Sequence, residues 1–170
     1  MIPDANITYS QGTTILETEL PTMPDNLFYT YDGSPGVKAE YFKGFNIERE
    51  PDLVRIEKSP NISWEFDGTP DSTILETNSF SVRFSGNIVV QKSGSYKINV
   101  NGIDGLKFYF QGKKLVDKVS ENYSHTTFKT SYLDKGTQYP FSLEYFEDEG
   151  WGEVRLGISE IKEGLIDDAI

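Results

Sequence analysis

Few residues in this chain have the types and spacing that chemistry requires. There is no cysteine among the 170 residues and only one histidine, His125, so thiol nucleophiles are excluded and no second imidazole can share a metal. His125 lies in Asn122-Tyr-Ser-His-Thr-Thr127, a polar stretch that reads as a loop. It carries no G-x-S-x-G nucleophile elbow and reads as a surface histidine. The 27 Asp and Glu residues could in principle supply the paired carboxylates of glycoside hydrolysis, but with so many acids some pair is always close, and no spacing nominates one. Two turns remain. Gly102-Ile-Asp-Gly105 carries Asp104 and no Walker lysine after it, so it reads as a turn and not a phosphate cradle. Glu147-Asp-Glu-Gly-Trp-Gly152 sets Trp151 between two glycines, where an indole can stack on the apolar face of a sugar ring or fold back over the end of the core. Asp148 and Glu149 beside it can accept sugar hydroxyls or simply solvate the loop. Tyr123, next to His125, is a further aromatic in the loop after a predicted hairpin.

The elements that must position these residues are strands. Phe80, Val82 and Phe84 alternate with Ser81 and Arg83; Tyr96, Ile98 and Val100 alternate with Lys97 and Asn99. Leu106, Phe108 and Phe110 repeat the pattern, as do Phe141, Leu143 and Tyr145, and then Val154, Leu156 and Ile158. A period of two places each apolar set on one face of a sheet. Gln111-Gly112 predicts a hairpin into Leu115-Val116. Turn signals at Ser85-Gly86, Ser93-Gly94, Asn101-Gly102, Asp104-Gly105, Lys135-Gly136 and Gly150 separate the strands at the spacing of an antiparallel sandwich. The ends differ. Residues 6–12 read as one short strand, the stretch with Pro21, Pro24 and Pro35 reads as a connector without regular structure, and Ile161, Leu165, Ile166, Ala169 and Ile170 fall at helical spacing. Trp64, in Ile62-Ser-Trp-Glu-Phe66, alternates with core-like residues and reads as core.

Composition narrows the partners. Sixteen Lys and Arg against 27 acids give a net charge of −11 and a pI near 4.5. The scattered basic residues form no patch for nucleic acid or an anionic membrane surface. An aromatic content of 14% is too high for a disordered chain despite a mean hydropathy of −0.47. At this length roughly 70% of the unfolded surface is buried on folding, so a core forms without disulfides. No apolar run approaches the ~18 residues of a spanning helix, and the first residues lack the basic start and apolar stretch of a secretion signal.

Several of these motifs occur in the order of a known family. Gly36-Val-Lys-Ala-Glu-Tyr-Phe42, Phe80-Ser-Val-Arg-Phe-Ser-Gly86, Ser93-Gly-Ser-Tyr96, Asp104-Gly-Leu-Lys-Phe-Tyr-Phe-Gln-Gly112 and Glu144-Tyr-Phe-Glu147 resemble the protective-antigen (PA14) domain. The resemblance implies an all-β antiparallel sandwich over 36–158 that is associated with carbohydrate in glycosidases, adhesins and toxins. The flanks resemble the C-terminal sandwich of glycoside hydrolase family 3: a host strand in 1–16, a connector in 17–35 and a truncated host helix in 159–170. On that resemblance the chain is a non-catalytic insert of a β-glucosidase-like enzyme, periplasmic or extracellular and bacterial. It would wall the host pocket or bind an oligosaccharide or glycoside, beside host glycosidase domains that carry the catalytic acids. In sugar-binding members the loop at Asp104 carries two consecutive aspartates that hold calcium, and a second loop, here 147–152, lines the site. This chain has Ile103-Asp104, and an isoleucine gives calcium no oxygen. The expectation is therefore no cofactor, with a calcium-dependent lectin using Asp104 and Asp148 as the alternative. The expected sugar contacts are Trp151, Asp148, Glu149, Asp104 and Tyr123.

Overall fold

Alternating apolar residues can be buried on one face only if two sheets meet face to face, and they do so in the computed structural model. It describes residues 19–64, 68–75, 79–118, 123–148 and 150–162. The first sheet contains β1 (Phe28–Tyr29), β2 (Val37–Lys43), β3 (Leu53–Glu57), β5 (Phe80–Ile88), β7 (Gly105–Phe110), β8 (Lys113–Lys118) and β10 (Tyr139–Glu147). Its order is β3-β2-β5-β10-β7-β8, with β1 pairing the end of β5 beyond β2. The second sheet contains β4 (Ile62–Trp64), β6 (Tyr96–Gly102), β9 (Ser124–Lys129) and β11 (Gly152–Glu160), in the order β4-β11-β6-β9. Every pairing is antiparallel, so the expected all-β sandwich is the fold.

The aromatic content predicted from composition is the material between the sheets. Trp64 reaches across to stack on Tyr145 at 5.4 Å and meets Phe80 edge-on at 5.2 Å, and Phe108 packs on Phe128 and Phe141. Such pairs add to the area they bury because ring edges and faces carry opposite partial charge. Gln111 and Gly112 both adopt positive φ, 50° and 75°, the geometry of the predicted two-residue hairpin between β7 and β8.

Three expectations are corrected. The stretch with Pro21, Pro24 and Pro35 is not a bare connector. Asp25–Leu27 form a 3₁₀ turn and Phe28 and Tyr29 a strand, while Met23 and Phe28 are fully buried. The prolines sit where no ladder bond from their own nitrogen is needed: Pro21 accepts from Ile158 N through its carbonyl at 2.9 Å, and Pro24 precedes the 3₁₀ turn. Ser85-Gly86 and Asn101-Gly102 are not turns but lie inside β5 and β6. Gly86 is needed there because a Cβ would stand 2.5 Å from Tyr29 O, where β1 crosses its neighbour. Thirdly, Ser159 and Glu160 extend β11 instead of opening a helix, and Ile161 and Lys162 follow in non-helical conformation. The rest of the predicted helix, and the strand over 6–12, fall outside the described residues. No described helix is long and apolar enough to cross a membrane.

Candidate functional site

β6 leads from the four-stranded sheet into β7 of the other through Ile103-Asp104, and β10 leads back into β11 after Glu147; because β10 pairs with β7 and β11 with β6, both crossovers lie at one end of the sandwich. There Asp104 adopts φ 69°, a left-handed turn conformation that aspartate tolerates. Its carboxylate accepts the Asp148 backbone N–H at 3.3 Å, which ties the two turns together.

Next to this pair stands a residue that the sequence reading passed over. Glu147 ends β10 pointing into the sandwich and is only 2% exposed. One carboxylate oxygen accepts the Tyr145 hydroxyl, and the other has no hydrogen-bond partner. Burial, opposed by the Tyr145 bond and reinforced by Asp104 and Asp148, raises its pKa above the ordinary carboxylate value. Burial and the adjacent carboxylate push the Tyr145 hydroxyl upward as well. The indole ring of Trp64 and the bare face of Gly152 close over this carboxylate, and a Cβ at 152 would be driven into it. Asp104 and Glu147 are thus interior groups that hold the loop end together. Two carboxyls sealed this way cannot flank a glycosidic bond.

Trp151 is exposed (56%) and turns away from the acids. Its indole N–H donates to Ser63 Oγ at 3.1 Å. Because Ser63 alternates with the inward Trp64 on β4, this bond lays the ring on the outer face of the four-stranded sheet. Tyr123 is also exposed and lies on that sheet, just before β9. Its hydroxyl donates to Glu19, which in turn pairs with Arg155 of β11. The bond from Tyr123, together with the charges of Arg155 and His125, lowers the Glu19 pKa; partial burial and Glu19 raise Tyr123 to about 12. The five expected contacts therefore split. Asp104 and Asp148 meet at the loop end, Trp151 and Tyr123 stand on the adjoining sheet face, and Glu149 lies outside the described residues.

His125 is a correction too. It is half-buried in β9 opposite Asn101, not in a loop, and Thr127 lies 3.2 Å from its Nε2. The alternation of polar with apolar residues from 124 to 128 is weak, which hid the strand. Ser63, Arg155 and Asn101 occupy outward positions that the period of two could have nominated. Glu19 gave no signal, because only the fold brings residue 19 to residue 155.

Calcium takes six to eight oxygens; here Ile103 offers no side-chain oxygen, one Asp104 oxygen accepts the Asp148 N–H, and one Glu147 oxygen accepts the Tyr145 hydroxyl. Among the described residues no three of His, Cys, Asp and Glu are grouped as a metal set. A separate pocket of about 320 Å³ opens at the opposite end, beside Leu27, Val90, Tyr96 and Glu160, away from every candidate residue.

Comparison with known proteins places this geometry in a family. The anti-sigma-I factor RsgI3 of Acetivibrio thermocellus is 28% identical over 112 residues, which is 66% of this chain but 17% of RsgI3; the chain thus spans a small part of that curated relative. The β-glucosidase from Kluyveromyces marxianus, solved in complex with glucose, superposes with a TM-score of 0.65 at 17% identity, covering 86% of this chain and 19% of the enzyme. A PA14 sugar-binding domain from an RTX adhesin superposes with a TM-score of 0.53 at 17% identity, covering 74% of this chain and 89% of that domain. At these identities the two structures speak to the shared fold. The family model of the PA14 domain matches residues 33–168, and the chain belongs to the PA14 domain family.

Proposed function

We propose that this chain is a non-catalytic carbohydrate-binding module of a larger protein and that it binds sugar without a metal. The observation that carries the reading is Trp151: a large aromatic left 56% exposed yet fixed by its bond to Ser63. A ring held open in this way offers a sugar a flat apolar surface at little ordering cost. Asp148, exposed at the adjoining loop end, supplies an acceptor for hydroxyls. The names of the adhesin domain and of the glucose-bound enzyme support the same ligand class.

For the parent protein we propose a family 3 β-glycosidase, bacterial and periplasmic or extracellular, in which the module walls the active-site pocket. The entry and exit of the described domain support insertion: Met23 N donates to Leu156 O at 2.8 Å and Ile158 N to Pro21 O, so the two ends run side by side. A module whose ends meet can be accommodated in a host loop. A second reading, an anti-sigma factor as host, is favoured by the 28% identity to RsgI3 against 17% for the β-glucosidase.

The direct test is calorimetric titration of the chain with cello-, xylo- and laminari-oligosaccharides, in EDTA and again with calcium. Binding that persists in EDTA and falls about tenfold or more in Trp151→Ala is expected, since losing a stacked ring costs over 1 kcal/mol. Binding that appears only with calcium would establish the lectin alternative. Deleting the module from a glycosidase host should alter its preference for chain length, and unchanged kinetics on short and long substrates would remove the pocket-wall role.

A further inference from the structure

The outer face of the four-stranded sheet carries a second feature, beneath the residues that tie down Glu19. Along β6, Asn99 and Asn101 point outward, opposite Gly157 and Arg155 on β11 and Thr127 and His125 on β9. Outward polar residues normally face water, yet these two are 0% and 1% exposed. All four of their amide atoms, and Arg155 Nε, lack any hydrogen-bond partner. The chain at Leu20 passes close to Asn99: a Cβ on Gly157 would stand 2.9 Å from Leu20 O and run into the Asn99 amide. Each buried amide left unmatched costs about 1–3 kcal/mol, so such groups call for a partner, ordered water or a bound ligand.

Around this covered row the surface is suited to one kind of molecule. Trp151 lies on the β4 side, and Tyr123 comes from the β9 side, two to three strand spacings or ~10–14 Å away. Between them Arg155 is balanced by Glu19 and Glu153, so no basic patch invites an anion. Two exposed rings, compensated charge and a row of planar amides match a neutral, hydroxyl-rich chain and not a charged polymer.

We propose that this sheet face, and not the loop end alone, is a binding site for a linear neutral glycan. The glycan lies across β11 and β6 between Trp151 and Tyr123, and its hydroxyls take up the amides of Asn99 and Asn101 once Glu19 releases Tyr123 and Arg155. The inference rests on the carbohydrate reading above and adds the direction, length and polar contacts of the ligand.

Titration with glucose, cellobiose and cellohexaose tests it, with thermal melting of each variant alongside. The wild-type chain should bind hexaose at least tenfold tighter than the disaccharide. Tyr123→Ala, an exposed change that leaves the core intact, should reduce hexaose affinity about tenfold and leave the disaccharide unaffected. Glu19→Gln should strengthen hexaose binding several-fold. Asn101→Leu should abolish the length dependence while raising Tm, because it removes buried amide atoms that have no partner. Binding weakened by Trp151→Ala but by neither Tyr123→Ala nor Asn101→Leu would overturn the face and leave the carbohydrate reading standing. A lowered Tm in Asn101→Leu would make the amides structural and overturn their role, as unchanged hexaose binding in Glu19→Gln would overturn that of Glu19. A wild-type chain that binds none of the tested oligosaccharides in either experiment would end both proposals.

Discussion

Glu147 illustrates how one residue's position reverses its effect. On a surface it would be one more solvated acid among 27; at the end of β10 it is sealed between Tyr145, Trp64 and Gly152, with its pKa raised by burial, Asp104 and Asp148. A group whose folded pKa lies above its unfolded value binds its proton more tightly in the folded state, so its contribution is full below about pH 4 and declines as pH rises through the folded pKa. Glu147→Gln should therefore flatten the fall in stability on the alkaline side of pH 4 and raise stability at pH 7. Urea unfolding at a series of pH values measures it; a variant that is less stable at pH 7 would show that the ionised carboxylate is needed there. The sequence offered this carboxylate only as part of a turn motif, because nothing in a string of residues distinguishes an acid that faces water from one that faces a tryptophan.

At the level of the strand, alternation was a reliable guide to which side chains face inward, and glycine was not a reliable guide to where strands end. Phe80, Val82 and Phe84, and likewise Leu106 and Phe108, are all fully buried, as their period of two required. Gly86, read as punctuation, is instead the point where β1 presses on β5, and Gly152 is where β11 leaves room for Glu147. Neither role depends on φ, and neither can be read locally, since each neighbour comes from a distant part of the chain. Gly86→Ala should cost about 2 kcal/mol or more, because the opposing atom, the Tyr29 carbonyl oxygen, is backbone and cannot rotate aside. Thermal melting checks this, and an unchanged Tm would mean that β1 is free to move outward. Asn61 shows the same limit. Its side-chain amide donates to Met23 O at 2.9 Å and accepts from Leu156 N at 2.8 Å, filling the edge of β11 between β4 and Thr22, a bridging task with no sequence signature.

Across the whole molecule, residues 21–29 belong to the sandwich and not to a tether. Met23 and Phe28 are completely buried in the main core, so Met23→Ala should lower stability by about 2–5 kcal/mol, measured by chemical unfolding. A loss under 0.5 kcal/mol would restore the connector reading. The sequence by itself determined that two sheets would form, which residues they bury and that an aromatic core would result, because a two-residue period and turn chemistry act locally and survive without knowledge of neighbours. It also singled out Trp151, Asp104, Asp148 and Tyr123 by residue type. Only the tertiary structure decided that the two acids are knitted into the loop end while Trp151 and Tyr123 share a sheet face with Arg155 and Asn101. Which groups meet depends on strand order and register, and β11 finds its place between β4 and β6 through pairings that join residues some fifty to ninety positions apart.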